Sequence, residues 1–441
     1  MQTSKAPPAA SLPPPSTASA TSSTSTSSAT SAAAGLCPDV IVIGTPAALT
    51  GTFSVEGTNV LLGAMAAVKW INDHGGVLCG GKHIMVKLIY YDCQSNSQMA
   101  QALTETLITK DRVNFLLSPY SSGLTLAVSP IAEKYGVPLA AVGASSDTIF
   151  KQGFKYIIGV AAPASQYFRS VLDMVKSIDP SAAKVAIMYA NDEFDRAVAA
   201  GAARYAQSLG LQVVANVTYP YPTQDLTPQI LQIKQANPDI ILIAAHYADG
   251  QLATRQLAEQ NVNAKLIAIT VAPLDPRYYQ SLGKLAECIV GPSQWEYGEK
   301  YTPQLAQQMG VPWFGPTADE FVQYFREVAA NFTGKPANPS YEAAWAAEGV
   351  LALLYGVQKA QSVDPNAVLA ALQNSTFMTF FSVFKMDPKT HLNVAHQMVV
   401  TQWQNGTRVV VWPSSVANAR PYYPSLTWGQ KQSGAVCAAG G

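Results

Sequence analysis

The sequence predicts an α/β protein of two wound parallel-sheet lobes joined by a multi-crossover hinge, and three observations carry that prediction. Apolar runs of strand length alternate with stretches of helical spacing from residue 40 onward. The alternation runs through one series and starts a second after Gly159. The folded length, about 400 residues, exceeds what one core ordinarily supports.

The first series opens with a buried strand at 40–44. A helix follows over 57–72, where Val60, Leu61, Ala64, Met65, Val68 and Ile71 recur at helical spacing, and then a strand at 84–91. These form a βαβ unit. A helix over 97–110 leads to the most informative stretch, residues 113–150. There a strand at 115–117 breaks into a Ser/Gly turn (118–123), and a helix closes near Gly136. A second apolar run (137–142) then breaks into another small-residue turn (143–146). In a parallel sheet such turns lie at the carboxyl edge, where open α/β folds bind ligands and helix-start amides face an anion. Both turns are placed to grip one small carboxylate.

The second series reads helix 165–177, strand 184–189, helix 194–209, strand 212–218, helix 226–235, strand 240–245, helix 250–260, strand 265–270 and a short strand at 288–291. Two wound sheets leave a cleft between them as the natural site. Long helices over 317–332 and 341–360 come next. Short strands at 380–386, 397–404 and 407–412 follow, the last two joined at Asn405-Gly406, a strong hairpin signal. This tail is too small for a third wound domain, so it returns to cover the two sheets.

Composition excludes several classes. The first 34 residues are nearly all Ala, Ser, Thr and Pro, with one Lys and no acidic or aromatic residue. Such a segment cannot bury enough apolar surface to offset its chain entropy and reads as a disordered tether. It contains no continuous apolar core, so it is not a signal peptide as it stands. Net charge is zero and 13% of residues are charged, which gives no basic face for nucleic acid. No apolar run approaches the ~20 residues that span a bilayer. The five cysteines (Cys37, Cys79, Cys93, Cys288, Cys437) form no C-x-x-C pair. Cys37 and Cys437 lie near the two ends of the folded region and are candidates to pair, because domain termini often lie close together. Leu36 stands where a lipid-attachment site wants a small residue, a poor match for lipidation at Cys37. Asn216, Asn331, Asn374 and Asn405 head Asn-x-Ser/Thr triplets, about as many as chance supplies in a Ser/Thr-rich chain.

No catalytic apparatus is visible. The chain lacks a G-x-S-x-G elbow, an H-E-x-x-H helix, a phosphate loop and a G-x-G-x-x-G after a strand. His391 and His396 read as a solvated loop pair without metal-ligand spacing. Ser121-Ser122 lacks an identifiable base. Its hydroxyls either cap a helix or bind a ligand, and two adjacent turns of this kind favour the ligand.

Residues 43–57 (IGTPAALTGTFSVEG), 63–76 (GAMAAVKWINDHGG), 89–93 (IYYDC), the serine turn, 137–145 (VPLAAVGAS) and 238–256 (PDIILIAAHYADGQLATRQ) resemble, in order, the Leu/Ile/Val-binding family of ABC-transporter solute-binding proteins, the type I periplasmic-binding fold. The resemblance implies a ligand site at Glu56, Tyr120, Ser121, Ser122, Ala144, Ser145, Ser146, Phe194, His246, Tyr247, Thr270 and Tyr341. Ser122, Ala144 and Ser146 would take the carboxylate and ammonium of an amino acid, and Phe194 replaces a frequent tyrosine. In the branched-chain amino-acid binders an acidic residue stands where this chain has Thr270. Glu56 would then supply the negative charge, or the ligand would carry no α-ammonium. The choice leans toward an amino acid balanced by Glu56. The family's usual partner of Cys93 is missing, with Ser121 at that place.

The resemblance further implies a tether at 1–38, lobe 1 at 39–159 plus 293–394, lobe 2 at 160–292 plus 395–424, and a flexible tail at 425–441. It implies an extracytoplasmic monomer that closes about a hinge on a small amino acid, carboxylate or amide and presents it to an ABC permease, with no metal or other cofactor. The rival readings are a sensor of the same fold and, further off, a serine hydrolase.

Overall fold

The computed structural model describes residues 37–298 and 301–438. The expected tether lies outside the described residues except for Cys37 and Pro38. The first half runs β1 (Val40–Ala47), α1 (Ser54–Asp73), β2 (Val77–Cys79), β3 (Lys82–Asp92), α2 (Ser97–Thr109), β4 (Phe115–Leu117), α3 (Ser122–Tyr135), β5 (Leu139–Ala141), α4 (Asp147–Phe150) and β6 (Ile157–Gly159). Its sheet has the order β2-β3-β1-β4-β5-β6, parallel throughout except at the β2 edge. β4, β5 and β6 read as continuous apolar runs because helices cover both faces. α3 stops at Gly136, whose φ of 68° supplies the left-handed cap that a side chain disfavours.

The second half runs α5 (Arg169–Ile178), β7 (Lys184–Ala190), α6 (Glu193–Ser208), β8 (Gln212–Tyr219), α7 (Thr227–Ala236), β9 (Ile240–Ala244), α8 (Tyr247–Glu259), β10 (Leu266–Ile269), α9 (Arg277–Leu282) and β11 (Val290–Ser293). The chain then leaves for α10 (Pro303–Met309), α11 (Ala318–Thr333), α12 (Tyr341–Ala360), α13 (Pro365–Gln373) and the small hairpin β12 (Thr376–Met378) and β13 (Val383–Lys385). It comes back as β14 (Val399–Gln404), β15 (Thr407–Trp412) and α14 (Trp428–Gln432). The second sheet has the order β15-β14-β11-β10-β9-β7-β8, with β14 and β15 antiparallel on its edge. The main chain therefore passes between the sheets after β6, after β11 and before β14.

α11 and α12 belong to the first sheet, where they pack with α1 over one face. A Cβ on Gly63 of α1 would sit 1.9 Å from the Ala343 carbonyl oxygen of α12, so only glycine lets the two helices approach this closely. The other face is covered by α2 and α3 through Leu107, Leu124 and Val128. In the second sheet Phe168, Val171 and Val198 fill one face, and Ile230, Ile233 and Leu257 the other.

Several expectations are corrected. Cys37 pairs with Cys79 and Cys288 with Cys437, across Cα separations of 5.9 and 5.5 Å, so Cys37 and Cys437 do not pair with each other. Cys93 is buried and free. The tail beyond 425 is ordered as far as it is described: Trp428 is buried and its Nε1 donates to the Val262 carbonyl at 2.6 Å. His391 and His396 are buried rather than solvated. His396 stacks on Phe381 and pairs through Nε2 with Gln294 Oε1 at 2.8 Å, and burial pushes its pKa down to about 3. The strand expected at 380–386 is instead the β12–β13 hairpin, which stands apart from both sheets.

Candidate functional site

Strand order locates the site. β1 sends its successor β3 to one side and β4 goes to the other, so the crossovers diverge at the carboxyl ends of β1 and β4. In the second sheet the same divergence falls between β7 and β9. Ligands of open α/β sheets bind at such switch points. Here the two switch points face each other: Tyr120 follows β4, His246 follows β9, and a hydrogen bond of 2.8 Å joins the Tyr120 hydroxyl to His246 Nδ1.

On the first-sheet side the α3 N-terminus is open. Its N-cap residue Ser121 makes no side-chain cap bond. Ser122 Oγ instead accepts the N–H groups of Ser145 and Ser146, each at 3.1 Å, and so ties the two serine turns together. Ser118 reinforces this, with Oγ accepting the Val142 N–H at 3.0 Å and donating to its carbonyl at 3.1 Å. Ser146 Oγ reaches across to Glu193 Oε1 at 2.7 Å. Ser145 Oγ and the Tyr167 hydroxyl are buried without a well-formed hydrogen bond, which is costly unless a further partner arrives.

The second-sheet side is built around His246. Its Nε2 lies 2.5 Å from Asp192 Oδ2 and 3.4 Å from Asp195 Oδ2. The rings of Phe53, Tyr120, Phe194 and Tyr221 surround it with centroids 5.0–5.7 Å away. Burial alone would lower the imidazole pKa, but the carboxyls of Asp192 and Asp195 outweigh it and raise it well above its usual range. Burial and the Asp192 charge raise the Asp195 carboxyl, while His246 lowers that of Asp192 against its burial. Asp249 stands behind, pushed up to about 7 by burial, with the Tyr219 hydroxyl donating to it at 2.6 Å.

Asp192, Asp195 and His246 are also the group among the described residues that could hold a metal ion, with donor atoms within 4.8 Å of one another.

Between the two sides lies a narrow space of about 10 Å³, room for about one water molecule. Of the expected residues, Tyr120, Ser121, Ser122, Ser145, Phe194, His246 and Tyr341 line it, joined by Gly143, Tyr167 and Trp345. Five expected residues do not. Ala144 is buried in the core. Ser146 turns to Glu193. Thr270 Oγ1 donates to the Ala245 carbonyl at 2.7 Å and accepts its N–H at 2.8 Å, a closed pair with the end of β9. Glu56 caps the start of α8, its Oε1 accepting the Tyr247 N–H at 2.9 Å, and that uses both residues. Burial raises the Glu56 pKa. Glu56 is therefore not poised to balance a ligand's ammonium, contrary to the sequence reading.

Sequence reasoning missed Tyr167, Trp345 and the Asp192–Asp195 pair. Asp192 had a legible part, since an Asp just before a helix reads as an N-cap, and its Oδ1 does accept the Asp195 N–H at 3.0 Å. Its second oxygen and the two aromatic residues had no local signal.

A family model described as periplasmic binding protein matches residues 40–408. The chain belongs to the periplasmic binding protein family. Members of this family are binding proteins, not enzymes, and the reading of an absent catalytic apparatus agrees with that. The Leu/Ile/Val-binding protein homolog 7 of Brucella abortus is 26% identical over 385 residues, 84% of this chain and 90% of its own length. Homolog 8 of the same organism is 23% identical over 382 residues, with the same coverage. Among solved structures, the branched-chain amino acid transporter substrate binding protein LivJ from Streptococcus pneumoniae, in complex with isoleucine, is similar at a TM-score of 0.70 and 21% identity, covering 85% of this chain and 100% of its own. A solute-binding protein of an R. palustris ABC transporter, in complex with 4-hydroxybenzoate, gives 0.70 and 18%, covering 84% and 95%. Both share the periplasmic-binding fold with this chain. No helix among the described residues is long and apolar enough to cross a membrane.

Proposed function

We propose that this periplasmic binding protein is the extracytoplasmic receptor of an ABC importer. It closes its two sheet-based halves on a small solute bearing a carboxylate or amide, the class that includes amino acids, and a membrane permease takes the solute from the closed form. The observation that supports the reading is the enclosed space whose walls come from both switch points, with Tyr120 and His246 hydrogen-bonded across it. Closure of this kind is driven by the solute's differential affinity for the closed state.

A thermal-shift screen of amino acids, aromatic acids and amides tests the reading. A solute at a hundredfold excess over its dissociation constant stabilises the native state by ~2.7 kcal/mol, and small-angle scattering then shows a smaller radius of gyration. A screen in which no solute raises the melting temperature overturns it.

A further inference from the structure

We propose that Gln294 is the clasp that makes the three chain crossings between the sheets turn as one hinge. The inference rests on the receptor reading above and deepens it by naming a positioning residue for closure.

Main-chain contacts tie the crossings only in pairs. On the first-sheet side the third crossing lies beside the first: the Gly159 N–H donates to the His391 carbonyl at 2.9 Å, and the Asn393 N–H donates to the Gly159 carbonyl at 2.7 Å. On the second-sheet side the third lies beside the second, with Ser293 of β11 opposite Val399 of β14. Among the described residues no strand pairing joins the first crossing to the second. Gln294, one residue past β11, supplies that tie. Its Oε1 accepts the Ala162 N–H at 3.1 Å, and its Nε2 donates to the Ala162 carbonyl at 3.0 Å. This two-way pairing fixes the orientation of the amide. Oε1 is therefore also the acceptor toward His396, whose Nε2 lies 2.8 Å away. One side chain thus holds Ala162 of the first crossing and His396 of the third, while its own backbone belongs to the second.

Burial and position decide what such a tie does. Gln294 is 0% exposed, so losing these bonds would strand polar groups away from water, and the clasp holds firmly. The bonds lie at the level where all three segments leave one sheet for the other. Groups on a rotation axis move little, so these bonds persist while the halves turn. The contacts of Tyr120 with His246, Ser146 with Glu193 and Glu56 with the Tyr247 N–H lie across the cleft instead, and must break as it opens. The Tyr167 hydroxyl, which lines the space between the two sides, faces Gln294 and Ser145, so the clasp borders the space that closure seals. Without Gln294 the first crossing would flex independently of the second. The halves would then sample many orientations in place of one open and one closed arrangement.

The test reads the hinge without any solute, so it is independent of the solute screen. Spin labels on Gln280→Cys and Lys335→Cys, exposed positions on opposite sides of the seam between the halves, report the distance distribution in the full chain by pulsed electron resonance. The parent should give narrow peaks for its open and closed forms. We expect Gln294→Leu to merge them into a distribution about twofold wider. Trp295→Phe is the control: it removes a neighbouring buried bond, from Trp295 Nε1 to the Phe380 carbonyl at 3.3 Å, that joins no two crossings. It should lower the melting temperature and leave the distances unchanged. Unchanged distances in Gln294→Leu, or equal broadening in Trp295→Phe, overturns the inference. Should Gln294→Leu fail to fold, His396→Phe is read by the same criterion, since it keeps a ring to stack on Phe381 and drops the tie to the third crossing. Broadening alongside an empty solute screen overturns the receptor reading and leaves the clasp standing.

Discussion

Tyr120 and His246, carried by different sheets, meet at 2.8 Å across the cleft. Tyr120→Phe removes the hydroxyl that pairs with His246 Nδ1 and leaves that buried nitrogen without its partner. A carboxylate solute should lose about 1–3 kcal/mol of affinity, and the ligand-free protein should shift toward a more open form. Calorimetry with a solute identified by the thermal-shift screen and the radius of gyration check the two effects. Unchanged values of both would mean that the contact is incidental.

Ser122→Ala is expected to act on binding and folding together. Its Oγ accepts two buried amides, from Ser145 and Ser146, so the variant leaves both unsatisfied. We expect a stability loss of about 1–3 kcal/mol and a weakened solute, because the second turn no longer holds Ser145 at the cavity. A lowered melting temperature with full affinity would place Ser122 in the scaffold alone.

Glu348, on α12, should make the protein less stable as pH rises. Burial lifts its carboxyl from the ordinary 4.5 to about 8, and Thr379 Oγ1 donates to its Oε2 at 2.5 Å. Between those two values the native state keeps a proton that the unfolded chain has released. Stability contributed below pH 4.5 is therefore lost progressively up to pH 8, with a slope of up to ~1.4 kcal/mol per unit. Glu348→Gln keeps the shape and removes the proton. Urea unfolding at pH 5, 6.5 and 8 should show the variant gaining on its parent as pH rises, and parallel curves would contradict the assignment.

Thiol counting tests the disulfide pairing. Cys93 is buried and its thiol pKa is raised by burial, so an aromatic disulfide reagent should find no reactive thiol in the native protein. It should find one per chain in denaturant without reductant, as expected for two disulfides and Cys93. Cys437→Ser opens the link to Cys288, 149 residues away, and should cost about 2–4 kcal/mol of stability. A second thiol reactive before reduction would break the pairing.

The fold was legible because it follows from periodicity. β1, β4, β5, β9 and β10 are mostly apolar runs of strand length, and the serine turns announce the carboxyl edge. Ser122 and Ser145 lie in the serine turns that follow β4 and β5, whereas Tyr120 and His246 came from the family resemblance. Thr270 also follows a strand, yet its hydroxyl is satisfied by Ala245 beside it, a pairing that depends on strand register. Glu56 was misjudged because its partner, the Tyr247 amide, lies 191 residues away. The disulfides were illegible on the same ground. Proximity of the termini suggested Cys37 with Cys437, whereas β2 brings Cys79 to Cys37 and the returning tail brings Cys437 to Cys288. Burial of His396 depends on Gln294 and Phe381, neither adjacent in sequence.

The repeated crossing of the chain sets an order of events during synthesis. The strands of the first sheet are complete at Gly159, but α12, which covers one of its faces and packs against Gly63, is not made until residues 341–360. The second sheet likewise ends at β11 until β14 pairs with it more than a hundred residues later. A nascent chain thus exposes an apolar face and an unpaired strand edge over a long interval, the condition under which intermediates aggregate and chaperones are engaged. A fragment ended at Ser293 would carry both liabilities permanently, so neither half can be prepared as an autonomous domain by a single cut.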